Sequence, residues 1–245
     1  MPAADTPPHL APVTGSGAPL APRWHTLALV ALQVSVAAAG LWLTHAGGGV
    51  PAAPVAPAPW ASRLVSVYLP MVIVQVGLVI YVARVGRPQS ALGALIGRRW
   101  GTPARAAVDV ALGLLAWLLI LGGEVAWARW SRVTTATSVT AMLPHTWPER
   151  LAWVVVASIV GFSEEVVYRG YLQTQLTAFT RSALAGIVLQ AALFGLAHGE
   201  QGPAVMVRFA LYGLGFGALA RWRQSLLPGV VGHVWTDAAS GLLRP

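Results

Sequence analysis

Apolar residues along this chain do not alternate, and they do not form the single stripe of a surface helix; they come in long runs. The runs cover residues 27–43, 64–83, 106–122, 150–176, 182–198, 203–220 and 225–243. Runs of about 18 or more residues have the length that crosses a bilayer core. The pattern therefore predicts an all-α fold, a polytopic transmembrane helical bundle of about seven spans. Pro70 is a candidate kink in the second span. Between the runs the character changes. Residues 1–22 are rich in Pro, Ala, Gly and Thr without a periodic apolar face and read as a disordered tail. Residues 46–62 form a Gly/Pro/Ala linker, 84–104 a basic loop with Arg84, Arg87, Arg98 and Arg99, and 124–148 a Trp-, Arg- and Thr-containing stretch expected at the membrane interface. The chain divides into the tail 1–22, N-terminal spans and an interfacial loop over 23–148, and a C-terminal helical core over 149–245.

Composition strengthens this reading. Of 245 residues, 56% are hydrophobic and 10% charged, against about 25% charged in soluble domains. All sixteen basic residues are arginine, and the formal net charge is +8. The arginines punctuate the apolar runs and form no patch with interleaved aromatics, so nucleic acid is not an expected partner; the lipid bilayer is. They serve better as topology signals. With the N-terminus inside, Arg23, 84, 87, 98, 99, 105, 181, 221 and 223 fall on the inner side, and Arg63, 129, 132, 150 and 244 on the outer. This bias predicts a cytoplasmic N-terminus; the membrane expected is a bacterial-type inner or plasma membrane. The first basic residue is Arg23, so the first span is expected to be an anchor rather than a cleaved signal. Trp60, Trp100, Trp127, Trp130, Trp147 and Trp222 flank runs, where an amphipathic ring suits the interface. Cysteine is absent, which excludes disulfides and thiol chemistry.

The chain has eight acidic residues, so their positions are informative. Glu164, Glu165 and Asp237 fall within apolar segments. A carboxylate at membrane depth costs several kcal/mol unless paired or hydrated. In Gly161-Phe-Ser-Glu-Glu-Val-Val-Tyr-Arg-Gly-Tyr-Leu-Gln173, Glu165 and Arg169 are four apart and face each other on a helix. Glu164 points about 100° away and is free for other work. His198 ends the apolar stretch Leu193-Phe-Gly-Leu-Ala-His-Gly199, and His233 and Asp237 share a face one turn apart. A purely structural Glu–Arg pair and a hydrogen-bonded interfacial histidine explain the first two features separately.

Height decides whether these groups meet. Counted from the span starts, Glu164 and His198 lie on opposite sides of the membrane. If the fourth helix continues to about residue 178 and turns near Thr180, they differ in height by about 3 Å. His233, roughly 12 Å into the last span, needs a tilted or late-starting helix. A carboxylate, two histidines and a second carboxylate around one cavity suit hydrolysis: a base for water, a proton donor, and groups to hold an oxyanion.

Glu-Glu-x3-Arg at Glu164, Glu165 and Arg169, followed by Gly170-Tyr171-Leu172-Gln173, resembles the first motif of the C-a-a-X protease and bacteriocin-processing family. Phe194-x3-His198 resembles the second, and His233-x3-Asp237 after Pro228-Gly229 the third. The resemblance covers residues 161–240. It implies an intramembrane endopeptidase acting on a peptide or protein substrate at the membrane. Glu164 is then the base, supported by Glu165 and Arg169. His198 helps position the water, and His233 with residue 237 holds the oxyanion. It leaves open a glutamic or a metallo-type enzyme; in the latter, His198 and His233 hold Zn2+. Asparagine is usual where this chain has Asp237, and an ionised aspartate cannot donate to an oxyanion. Two other readings compete: a proton-coupled transporter, although the chain lacks the internal repeat such folds tend to carry, and a non-catalytic immunity or scaffold protein.

Overall fold

The computed structural model describes residues 18–45, 63–85, 92–131, 140 and 142–243. Among these residues there are eight helices and no strand. They are α1 (Arg23–His45), α2 (Leu64–Val85), α3 (Leu92–Ile96), α4 (Pro103–Ser131), α5 (Trp147–Thr180), α6 (Ala183–Leu196), α7 (Pro203–Arg223) and α8 (Leu227–Leu242). Residues 1–17 of the expected tail, the linker 46–62, Arg87, Arg132 and Arg244 lie outside the described residues. Seven helices coincide with the seven apolar runs; α3 is an addition inside the stretch expected to be a basic loop. Five of them (α1, α2, α4, α5 and α7) are long and apolar enough to cross a membrane, and the protein is a multi-pass integral membrane protein. The other two are shorter. With 14 and 16 residues, α6 and α8 reach only about 21 and 24 Å, short of a hydrocarbon core of about 30 Å.

The third span also differs from its expected extent. It does not end near residue 122 but runs on to Ser131, so part of the stretch assigned to the interface is helix. The reason is that Glu124, the first residue of that stretch, is neutralised from the side. Arg208 of α7 reaches it at 2.7 Å and the Tyr212 hydroxyl donates to it at 2.5 Å. At the other end of the same pair of helices, Arg223 meets Asp109 at 2.8 Å, and Trp100 Nε1 also donates to Asp109. Thus α4 and α7 run antiparallel, joined by two ion pairs the same number of residues apart on each helix. Between the pairs lies an apolar slot of about 320 Å³, lined by leucines and Phe216.

α5 is the axle of the bundle. Half of its most apolar stretch is buried, against less than a third in every other span. Its start is a capping box: Thr146 Oγ1 accepts from the Glu149 N–H, and Glu149 Oε2 accepts from the Thr146 N–H. Glu149 is further held by Arg63 at 3.4 Å. The helix ends at Arg181, whose φ of 56° is left-handed, and Ser182 then caps α6 by accepting from Ala185 N–H at 3.2 Å. At 34 residues, α5 is about 51 Å long and outreaches the bilayer. Its last turns carry Gln175, which accepts from the backbone N–H groups of Leu20 and Ala21 and donates to Thr26. The start of α1 is tied there, with Arg23 over the Phe179 ring at 5.6 Å.

α8 starts deeper than α5 ends. Leu226 N–H donates to Ile96 O and Arg98 N–H to Gln224 O, each at 2.9 Å, so the α3 end and the α7–α8 link brace one another. Both press on Gly170: a Cβ there would stand 3.1 Å from Leu95 O and 3.2 Å from Leu226 Cδ1. α8 therefore begins level with Gly170, ten residues before the end of α5, or about 15 Å short of it. This late start brings His233 to the level of Glu164.

α8 seats against α4 through glycine. A Cβ on Gly113 would stand 2.7 Å from Pro228 O, and one on Gly232 would stand 2.8 Å from Gly113 O; small residues let helix backbones approach this closely in membranes. Gly113→Val should therefore destabilise the bundle by about 1–3 kcal/mol through overpacking. Thermal melting of the detergent-solubilised variant would show it, and an unchanged melting curve would refute the close α4–α8 contact.

Candidate active site

The motif on α5 sits where the helix changes register. Trp147–Glu164 is α-helical and Glu165–Leu172 is π-helical. Such widened turns are rare and often occur at functional sites. Every residue of the π segment is buried. Within it Arg169 Nη1 stands 3.1 Å from Glu165 Oε1, and both side chains are 0% exposed. The contact is one of charge rather than of alignment. Neither the three guanidinium nitrogens nor Glu165 Oε2 has a hydrogen-bond partner among the described residues. The guanidinium is instead held over aromatic faces, 4.3 Å from the Phe194 centroid and 5.4 Å from that of Phe216.

α8 brings His233 against this pair. Its Nδ1 lies 3.0 Å from Glu165 Oε1; a carboxylate only accepts, so Nδ1 carries the proton and donates. The opposite nitrogen, Nε2, faces Glu164 Oε2 at 3.5 Å and Asp237 Oδ2 at 3.8 Å. The imidazole stacks on Phe216 with a centroid distance of 5.4 Å. Gly229 makes this approach possible: a Cβ there would stand 2.6 Å from Glu165 Oε2. Asp237, the most accessible of the three carboxylates at 27%, has its backbone carbonyl fixed by Trp153 Nε1 at 2.9 Å.

His198 follows the end of α6. Its Nδ1 lies 2.8 Å from Phe194 O. A carbonyl only accepts, so Nδ1 is the protonated nitrogen and Nε2 keeps a free lone pair. The ring stacks on Phe209 at 3.8 Å. Both histidines flank one phenyl ring, with centroids 5.0 Å (His198) and 5.8 Å (His233) from Phe194. The structure thus joins Glu164, Glu165, Arg169, His233 and Asp237 in one network and sets His198 across Phe194 from them. Among the described residues no carboxylate lies within ion-pair distance of His198.

The donor set does not fit a metal as placed. No three His, Asp or Glu side chains among the described residues form a group able to hold an ion. His233 has both nitrogens turned to carboxylates, and His198 stands apart from them.

Two amides near the site also lie outside the motifs. Gln75 of α2 donates from Nε2 to Glu164 Oε1 at 3.1 Å. Gln33 of α1 donates to the Tyr168 hydroxyl at 2.9 Å, one turn along α5 from Glu164. The signal in the sequence is a lone amide in the middle of each apolar run.

The Glu165–Arg169 contact makes a stability prediction. Arg169→Met should cost about 3–5 kcal/mol, because Glu165 is left as a buried, uncompensated charge. Adding Glu165→Gln should recover a large part of that loss. A double-mutant cycle on unfolding in detergent measures the coupling; strictly additive losses would refute it.

Residues 146–239 match the family model described as "Type II CAAX prenyl endopeptidase Rce1-like". The matched stretch begins one residue before α5 and ends within α8, so it holds all three motifs. Comparison with curated proteins and with solved structures gave no match.

Proposed function

We propose that this chain, which carries in residues 146–239 the Rce1-like domain of the C-a-a-X protease and bacteriocin-processing family, is an intramembrane endopeptidase using Glu164 as its base. The observation that carries the reading is the orientation of His233: Nδ1 is tied to Glu165, and Nε2 faces Glu164 and Asp237. Glu165 does for His233 what a buried carboxylate does for the imidazole of a catalytic triad, fixing the direction of the ring and favouring its doubly protonated form. Arg169 places a positive charge against Glu165 in apolar surroundings.

The reaction follows from these positions. A water between Glu164 Oε2 and the scissile carbonyl loses a proton to Glu164 as its oxygen attacks the carbonyl carbon. The developing oxyanion is met by His233 Nε2–H and by the Asp237 carboxyl; since Nδ1–H is already given to Glu165, this role requires His233 as the imidazolium and Asp237 in its protonated form. An aiming role for His198 requires its Nε2 to reach that water from across Phe194. The C–N bond then breaks, and the proton held on Glu164 passes to the leaving amine. The products are a new carboxylate and an amine, with one water consumed. The class of substrate is a membrane-associated or lipidated peptide, with a prenylated C-a-a-X tail as the form the family name suggests. The end of the bundle that gathers Arg23, Arg98 and Arg223 is the one we assign to the cytoplasm.

Glu164→Gln preserves shape and removes the base, so cleavage should fall at least about 100-fold. Purified protein and a farnesylated C-a-a-X peptide library in micelles would test this, with circular dichroism to check folding. Near-normal turnover by the folded variant would rule out the mechanism. At the oxyanion position, Asp237→Asn should keep most of the activity, because an amide donates where the carboxyl does, and Asp237→Ala should lose it. Loss of activity in Asp237→Asn would instead assign this residue a role that only a carboxylate can fill.

A further inference from the structure

We infer that Gln75 is the positioning residue that holds the Glu164 carboxylate in its working orientation; this rests on the reading of Glu164 as the base. The geometry divides the carboxylate. Oε1 accepts from Gln75 Nε2 at 3.1 Å, whereas Oε2 is the oxygen turned to His233. With one oxygen pinned, the group cannot swing about its terminal bond, and a single lone-pair direction remains for the water.

The sequence of α2 singles out this turn. The side of α2 that packs on the bundle is apolar on both sides of Gln75. Met71 and Val72 join the cluster around Trp153 and Val156. Leu78, Val79 and Val82 join the cluster around Val166 and Tyr171. An amide between two apolar clusters is destabilising unless it is hydrogen-bonded, and the partner found here is Glu164. α1 repeats the construction. Its inward stripe runs Leu29, Gln33, Ala37, with Leu29 and Ala37 buried, and Gln33 meets Tyr168. Each N-terminal helix thus spends its central polar residue on the α5 face that carries Glu164. The kind of donor also matters. An arginine or lysine at 75 would pair with the carboxylate and draw its charge away from the water. A neutral amide orients the group and leaves that charge available.

A purely structural role, tying α2 to α5, would show in stability and not in turnover, so the experiment reads both. Gln75→Leu removes the donor and suits an apolar helix. Its kcat on a peptide that the wild type cleaves should drop about 10- to 100-fold, the scale of a misaligned catalytic group. KM should stay within about twofold of wild type, because binding in the ground state is untouched. Gln75→Met is the variant to read if the leucine variant does not fold. Gln75→His returns an N–H at similar reach and should regain part of the loss. In a Glu164→Gln background, Gln75→Leu should cause no further loss. Wild-type kcat in Gln75→Leu or Gln75→Met, with or without lower melting, overturns the inference, as does a histidine variant no better than the leucine one. If Glu164→Gln alone stays active, the base assignment fails and the inference with it. If Glu164→Gln is inactive while the Gln75 variants turn over normally, only the role of Gln75 is wrong.

Discussion

Two opposite charges with no access to water constrain this structure. Glu165 and Arg169 are wholly buried in the middle of a long apolar helix, and each is tolerable only because of the other. Their neighbours follow from that requirement. Phe194 and Phe216 cover the guanidinium with their negative faces. Gly229, having no side chain, lets α8 close over the carboxylate. His233 takes the remaining direction on Glu165 Oε1 and is thereby turned toward Glu164. Remove the pair, and the orientation of His233 loses its cause.

The helical register is arranged around the same point. The π segment begins at Glu165, immediately after the proposed base. Two adjacent glutamates therefore serve different environments: Glu165 is sealed, and Glu164 remains partly accessible at 16%. The unequal helices complete the arrangement. α5 is too long for the bilayer and α8 too short, and the offset is set by the brace between Ile96 and Leu226. A short helix in a supposedly basic loop thus helps set the height of the third motif.

The N-terminal helices also reach the site. α2 sends Gln75 to Glu164 and α1 sends Gln33 to Tyr168. The stretch that matches the family, residues 146–239, holds the motifs but not these contacts. A site formed from that stretch alone would leave the Oε1 face of Glu164 without the Gln75 amide. An apolar helix carrying a single amide closes that face at the cost of one buried polar group, and the hydrogen bond offsets that cost.

Much of this was legible in the chain itself. Runs of apolar residues announce membrane helices because a bilayer demands about 20 of them in a row. Carboxylates and histidines inside such runs announce a site because lipid penalises them. The i,i+4 spacing of Glu165 and Arg169 announced their contact because a helical turn brings those positions together. Other features required the fold. The extent of α4 past Glu124 depends on Arg208 and Tyr212, which are 84 and 88 residues away. The start of α8 depends on Ile96, a backbone contact with no side-chain signature. Gln75 and Gln33 stand out as lone amides, but their partners are chosen by which helices become neighbours. Local spacing determines what a residue meets within one turn of its own helix. What it meets across the bundle is decided by lengths, offsets and close approaches, which exist only once all the helices are packed together.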